Sequence, residues 1–267
     1  MRLENARWPD LAALKDRTFV VPLGSLEQHG LHLPVFTDSL IISHIADRVE
    51  QLRSDRIVLL PVQWLGHSPH HRRLGSVSLD FQPYVQLICG LCRSLINIGA
   101  RKILLLNGHG GNDTPCRAAQ RELKTEFESL SSLYIVYAAY WNLAAEEFNA
   151  IRSSPPGGMG HACEMETSIL LSQDPAQVDM SNAKPGGPNP EMGYCVIDML
   201  KPPPFSLINE FDELSPTGVL GMPELATAEK GSAFLEQAVQ AVLRLLDEMQ
   251  VWDFQERSAS RRAGIAQ

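Results

Sequence analysis

No stretch of this 267-residue chain is apolar over anything near the roughly eighteen residues of a membrane-spanning helix, so a membrane partner is not expected. Basic residues are outnumbered: 23 Lys and Arg stand against 31 Asp and Glu, a net charge of −8. They form no basic run and do not interleave with aromatics, which argues against nucleic acid as a partner. The opening Met1-Arg2-Leu3-Glu4-Asn5 lacks the apolar core and cleavage site of a secretory signal. Cysteine is scarce, five in all, an odd number without a signal, so reduced thiols and a cytoplasmic location are expected. Cys89 and Cys92 make one CxxC inside an apolar helical pattern, with no second pair to complete a zinc site, and read as core residues. Internal repeats and a domain linker are also missing. One domain over residues 1–255 is expected, followed by a disordered tail over 256–267.

What is present is an alternation of strand and helix patterns. Short apolar runs at 18–23, 57–62, 102–107 and 133–139 read as buried strands. Between them, Ile41, Ile45, Val49 and Leu52 recur at helical spacing, residues 84–98 are apolar nearly all round, and Asn112 can cap a helix over 113–127. This order predicts an α/β fold: a three-layer α/β/α sandwich around a mostly parallel sheet. Residues 175–223 are rich in Pro and Gly, including Pro202-Pro203-Pro204, as in a lid, binding loop or oligomer contact. A helix over 225–252, with Leu235, Val239, Val242, Leu246 and Met249 on one face, closes the pattern.

Chemistry gathers at the ends of these strands. Glu27-Gln28-His29-Gly30-Leu31-His32-Leu33-Pro34, followed by Thr37-Asp38, puts two imidazoles and two carboxylates just past the first strand. Open α/β sheets build their sites there. A mixed N/O set suits zinc, manganese or iron(II) better than calcium, although a polar loop that only caps the next helix would look the same. After the third strand comes Asn107-Gly108-His109-Gly110-Gly111-Asn112, a histidine among glycines that let the backbone pass close to a ligand. A third group, His161-Ala162-Cys163-Glu164-Met165-Glu166-Thr167-Ser168, follows a Pro/Gly loop. On a helix His161 and Glu164 share a face and Glu166 lies on a different side.

Together these three segments resemble the creatininase family of metal-dependent amidohydrolases, along the chain from about Trp8 to Leu246. The resemblance implies the α/β/α sandwich and a site for two divalent ions, zinc and/or manganese with iron as a further option. It also implies a homo-oligomer, often a hexamer, and hydrolysis of a non-peptide C–N bond in a small cyclic amide or formamide. Carried over residue by residue, Glu27, His29, Asp38 and His109 fall on metal-ligand positions, with Asp38 as the bridge. Creatininases proper place a tyrosine and a ligand glutamate directly after the histidine of the third-strand motif; here those places are Gly110 and Gly111. Relatives with the same Gly-Gly carry a glutamate three residues after the later histidine, which makes Glu164 the expected fifth ligand. His161 falls on a catalytic position, and Glu166 on a glutamate expected to support catalysis from behind the ligands.

Departures from the family pattern bear on the substrate. The tryptophan and aspartate of creatininases proper are replaced by Gly157-Gly158-Met159-Gly160, the common Pro-Gly-Thr by Leu74-Gly75-Ser76, and a frequent aspartate by Met222. A glycine wall predicts a wider mouth and a larger or more polar substrate than creatinine, with residues 175–223 supplying the missing wall. The alternatives are creatinine hydrolysis itself, a metal-dependent phosphoesterase using Arg72 and Arg73 after His70-His71, and a non-catalytic metal-binding protein.

Overall fold

The computed structural model describes residues 1–187, 197–201 and 204–252. In chain order the elements that position the site are β1 (Thr18–Leu23), α1 (Thr37–Arg53), β2 (Ile57–Leu59), α2 (Phe81–Asn97), β3 (Lys102–Asn107), α3 (Asp113–Glu126) and β4 (Tyr134–Ala139). They continue with α4 (Tyr140–Leu143), α5 (Ala145–Ile151), β5 (Met159–His161), α6 (Glu164–Gln173), α7 (Phe211–Leu214), β6 (Leu220–Gly221) and α8 (Ala228–Gln250). The four long-sheet strands are all parallel, in the order β2-β1-β3-β4. Their side chains alternate between two cores. Val20, Leu104 and Leu106 pack with α1, α6 and α8 on one face, and Phe19, Val21, Ile103 and Leu105 with α2 and α3 on the other. This is the expected three-layer sandwich, with the strands buried on both faces as parallel strands must be. A separate antiparallel pair joins β5 to β6.

Several boundaries differ from the sequence pattern for identifiable reasons. β2 stops at Leu59 rather than 62: Leu60 N–H still donates to the Val20 carbonyl, but Pro22, next in line on β1, has no N–H to return, and pairing resumes only at Gln63. Leu52, the last member of the α1 stripe, is exposed. Asn112 does not cap α3. Its Nδ2 donates to the Gly24 carbonyl at 3.0 Å and its Oδ1 accepts from the His67 N–H at 2.9 Å, so it ties three loops together. The last helix starts at Ala228, where Thr227 accepts from the Lys230 N–H, and the apolar face expected of it is buried. α8 crosses α6 so closely at Gly231 that a Cβ there would run into the Ser168 carbonyl, which only glycine permits. Cys89 and Cys92 are buried free thiols, pushed up to about 11 and about 12 by burial, as inert core residues are. The expected tail over 256–267 lies outside the described residues. Among the described residues, no helix is long and apolar enough to cross a membrane.

Candidate metal centre

The sheet order makes β1 and β3 neighbours whose connections leave toward opposite faces, α1 on one side and α3 on the other. The crevice at such a switch point, beyond the carboxyl ends of the strands, is where open α/β sheets hold ligands. Glu27 and His29 follow β1, Asp38 lies in the first turn of α1, and His109 follows β3. All four are buried.

Asp38 stands at the centre. Its Oδ1 is 3.0 Å from His29 Nε2, its Oδ2 is 2.9 Å from His109 Nδ1, and the Ser25 hydroxyl donates to Oδ2 at 2.6 Å. The outer nitrogens are held by carbonyls. His29 Nδ1–H donates to Glu27 O at 3.1 Å, and His109 Nε2–H donates to His67 O at 3.2 Å. With the outer nitrogens donating to carbonyls, the inward-facing nitrogens meet the Asp38 carboxylate and are the ones open to a metal once their protons are displaced. Glu27 Oε1 lies 3.2 Å from His109 Nδ1, 3.2 Å from His71 Nε2 and 3.7 Å from His161 Nδ1. Despite this crowding, neither Glu27 oxygen has a hydrogen-bond partner, although the residue is fully buried. An orphaned buried carboxylate is costly and calls for an explanation. A cation among these donors supplies one, and the mixed carboxylate–imidazole set fits zinc or manganese.

The electrostatics follow from the same packing. Burial alone would raise Asp38, but the His29 and His109 imidazoles outweigh it and hold its carboxyl well below the usual range. Burial would lower His29, yet Asp38 beside it raises the ring to about 9, and Glu27 and Asp38 hold His109 well above its ordinary value. Burial pushes Glu166 up to about 7 and, with His29 nearby, brings His161 down to about 3.

The third segment departs from expectation. His161 and Glu164 do not share a helix. His161 ends β5, Ala162 takes a left-handed φ of 49°, and α6 begins only at Glu164 with Cys163 as its cap. Glu164 turns away from the centre. Its Oε1 accepts from Lys230 Nζ at 2.6 Å and Ser153 N–H at 2.9 Å, and its Oε2 accepts from Ser154 N–H at 2.8 Å. The expectation of Glu164 as a ligand is therefore corrected. Two helical residues are roughly 200° of rotation apart, so the residue opposite it, Glu166, faces inward, with Oε1 4.0 Å from His29 Nε2 and Oε2 accepting from Cys163 N–H. Gly111, where creatininases proper are expected to carry their glutamate, is closed to any side chain: a Cβ would collide with the His67 carbonyl and the His109 ring.

His71 is a site residue that motif reading passed over. It ends the turn Pro69–His71 after β2, is buried, and faces Glu27. Two adjacent histidines, His70 and His71, in the loop that follows β2 were the available signal. His32 is structural, bonding Thr167 Oγ1 at 2.8 Å. Arg72 and Arg73 are exposed and paired with Glu210 and Asp212, so they build no phosphate cradle.

The centre opens into a cavity of about 240 Å³ whose apolar wall includes Trp141, Met199, Phe211, Leu214 and Leu220. Four of these five belong to the 175–223 segment, which does supply a wall. The wall is apolar and aromatic, and of Gly157, Gly158 and Gly160 only Gly160 reaches the lining among the described residues, so the expected glycine wall before His161 is corrected. A larger hollow of about 450 Å³ between α3 and β4 has no carboxylate or imidazole among the described residues of its lining.

Comparison with known proteins agrees with the geometry. The family model for Creatininase, described as creatinine amidohydrolase, matches residues 4–246. The mycofactocin precursor peptide peptidase of Mycobacterium tuberculosis is 30% identical over 240 residues, covering 85% of each chain. The creatinine amidohydrolase of Pseudomonas putida is 26% identical over 246 residues, 86% of this chain and 88% of that one. A variant creatininase of Zn–Zn type shares the fold with a TM-score of 0.76 at 23% identity, covering 94% of this chain and 98% of its own. A manganese creatininase does so with a TM-score of 0.71 at 22% identity, over 94% and 99%. Matched along nearly its whole described length in both sequence and fold, the chain belongs to the creatininase family of hydrolases.

Proposed function

We propose that this protein is a metal-dependent amidohydrolase that cleaves the C–N bond of a small amide, of cyclic amide or formamide type, with two divalent ions, zinc and/or manganese. The observation that carries the reading is Glu27, buried with both oxygens unpartnered beside His109, while Asp38 reaches His29 with one oxygen and His109 with the other. In this reading Glu27, Asp38 and His109 hold one ion, and His29, Asp38 and Glu166 hold the second. Glu166 thus takes the ligand place that Glu164 leaves. A homo-oligomer, as in the family resemblance, belongs to the same proposal.

Divalent ions bound there would lower the pKa of water and polarise a carbonyl. The chain's own groups manage the protons. The Nε2–H of His161 donates to the Gln28 carbonyl at 2.7 Å, which leaves Nδ1 as a lone pair facing Glu27. His161 Nδ1 takes a proton from the attacking water as the C–O bond forms, and returns it to the nitrogen as the C–N bond breaks, so that a neutral amine departs. Gly110 and Gly111 line the cavity and bring main chain, without side chains, against the substrate.

Among the described residues, no Arg or Lys lines the cavity, which weighs against a phosphate ester. Its volume and apolar wall suit a small amide with an apolar flank. The peptidase relatives support a second reading, cleavage of an amide at the end of a modified peptide, because the likeness to them covers 85% of both chains. The test is an assay of zinc- and manganese-loaded protein against lactams, formamides, creatinine, short peptides and phosphate esters. Amide turnover with little action on creatinine is expected. Turnover of phosphate esters alone would overturn the reaction class.

A further inference from the structure

His71 is 1% exposed and lines the cavity, with its ring stacked on Phe211 at a centroid distance of 3.9 Å. Its tautomer is set by Gln28. The Gln28 amide is oriented independently, because Gly30 N–H donates to its Oε1 at 2.8 Å. The nitrogen of that amide therefore faces His71 Nδ1, at 2.9 Å, and the Gly218 carbonyl, at 3.1 Å. A third neighbour, His161 Nε2 at 3.2 Å, gives its own proton to the Gln28 main-chain carbonyl at 2.7 Å, so the two amide N–H groups go to the two remaining acceptors: His71 Nδ1 accepts and the ring proton sits on Nε2. That Nε2–H is buried without a hydrogen-bond acceptor, since Glu27 Oε1 at 3.2 Å lies outside hydrogen-bond geometry.

His161, with ring centroids 4.7 Å from His71, is set the other way. Its Nε2–H is spent on the Gln28 main-chain carbonyl and its Nδ1 lone pair faces the cavity. One residue, Gln28, thus fixes two neighbouring imidazoles in opposite senses, His71 presenting a donor and His161 an acceptor.

We propose that His71 is a further catalytic residue, whose Nε2–H donates to the amide oxygen of the substrate as negative charge develops there. When water adds to the amide carbon, the C=O π pair moves onto oxygen. A donor already in place in a water-poor cavity stabilises that charge without reorganising. The same proton placement argues against His71 as a metal ligand, although Glu27, His71 and His161 lie close enough together to hold an ion. The assignment rests on the reading of the site as an amide-hydrolysing centre.

The test compares His71→Asn, which can replace only the Nδ1 side, with His71→Gln, whose amide reaches the Nε2 position. Three quantities are read: metal content by elemental analysis, kcat and KM on the best amide substrate, and calorimetric binding of methylphosphonate, a tetrahedral oxyanion. His71→Asn should keep its metal and lose about 10²–10³-fold in kcat. Its KM should change little and methylphosphonate should bind more weakly, while His71→Gln recovers much of both losses. Equal kcat in both variants and wild type would overturn the proposal, and metal loss in His71→Asn would make His71 a ligand instead. If no amide is turned over, the amide reading fails by itself, and methylphosphonate then decides: affinity unchanged in His71→Asn, or no binding by wild type, overturns the donor role. Should His71→Asn not fold, His71→Gln decides alone, since metal loss or the full kcat loss there would overturn it.

Discussion

Glu164 and Glu166 stand two residues apart in the first turn of α6 and serve opposite sides of it. Glu164 meets Lys230 Nζ at 2.6 Å, behind the candidate metal centre, while Glu166 looks inward, 4.0 Å from His29 Nε2. One glutamate anchors the helix and the other faces the chemistry.

That division is open to measurement. Glu166→Gln should lower metal content to about one ion per chain, with the fold intact. Glu164→Gln should keep both ions but destabilise the protein by about 1.5–3 kcal/mol, the usual worth of a hydrogen bond to a charged group. Lys230 retains some solvent exposure, which keeps the cost below that of a fully buried pair. Elemental analysis and urea unfolding of the two variants decide it. Loss of metal in Glu164→Gln with full occupancy in Glu166→Gln would reverse the assignment.

Asp38 is expected to serve both ions, because its two oxygens reach His29 and His109 separately. Asp38→Ala should therefore lose both. Two tightly held ions in the purified variant would show that neither depends on a shared carboxylate.

How much of this could be read before the fold was known follows the range of the interactions involved. β1 and β3 stood out because continuous apolar runs mark strands buried on both faces; Glu27, His29 and His109 lie within a few residues of those runs, and Asp38 opens the helix that follows β1. The third segment was harder. Its reading assumed an unbroken helix from His161, but the backbone turns through a left-handed Ala162, a residue that carries no signal for that conformation. Which glutamate faces inward depends on where α6 begins and on Lys230, 66 residues away. The cavity wall was equally hidden. Phe211 and Leu214 reach the site from a Pro/Gly-rich stretch without periodicity, and β6 is a strand only because β5 pairs with it.

His161→Asn tests proton transfer apart from metal binding. The Nδ1 lone pair faces the cavity while Nε2 is tied to the main chain, so the residue can move a proton without holding an ion. The variant should retain both metals and lose about 10²–10⁴-fold in kcat, the usual contribution of a positioned acid–base group. A drop in metal content would move His161 into the ligand set.

Metal uptake should be coupled to proton release, with a sign fixed by the charged cluster. In the metal-free protein, Asp38 beside His29 overcomes burial and raises that ring to about 9, and Glu27 and Asp38 hold His109 well above its ordinary value. Burial likewise raises Glu166 to about 7. Near pH 7 both imidazoles therefore carry a proton that a metal ion must displace, and Glu166 carries part of one. Raised pKa values favour the protonated, metal-free form on the acid side. Affinity should thus climb as pH rises from 7 toward 9 and fall as pH drops, and binding at pH 7 should release roughly two to three protons. Above pH 9, where His29 has already lost its proton, fewer should appear. Calorimetric titration of zinc or manganese into metal-free protein, in buffers of different ionisation enthalpy, counts these protons directly. Uptake at pH 7 without proton release would mean that His29 and His109 do not carry protons in the metal-free centre, and the electrostatic account of the Asp38 cluster would fail with it.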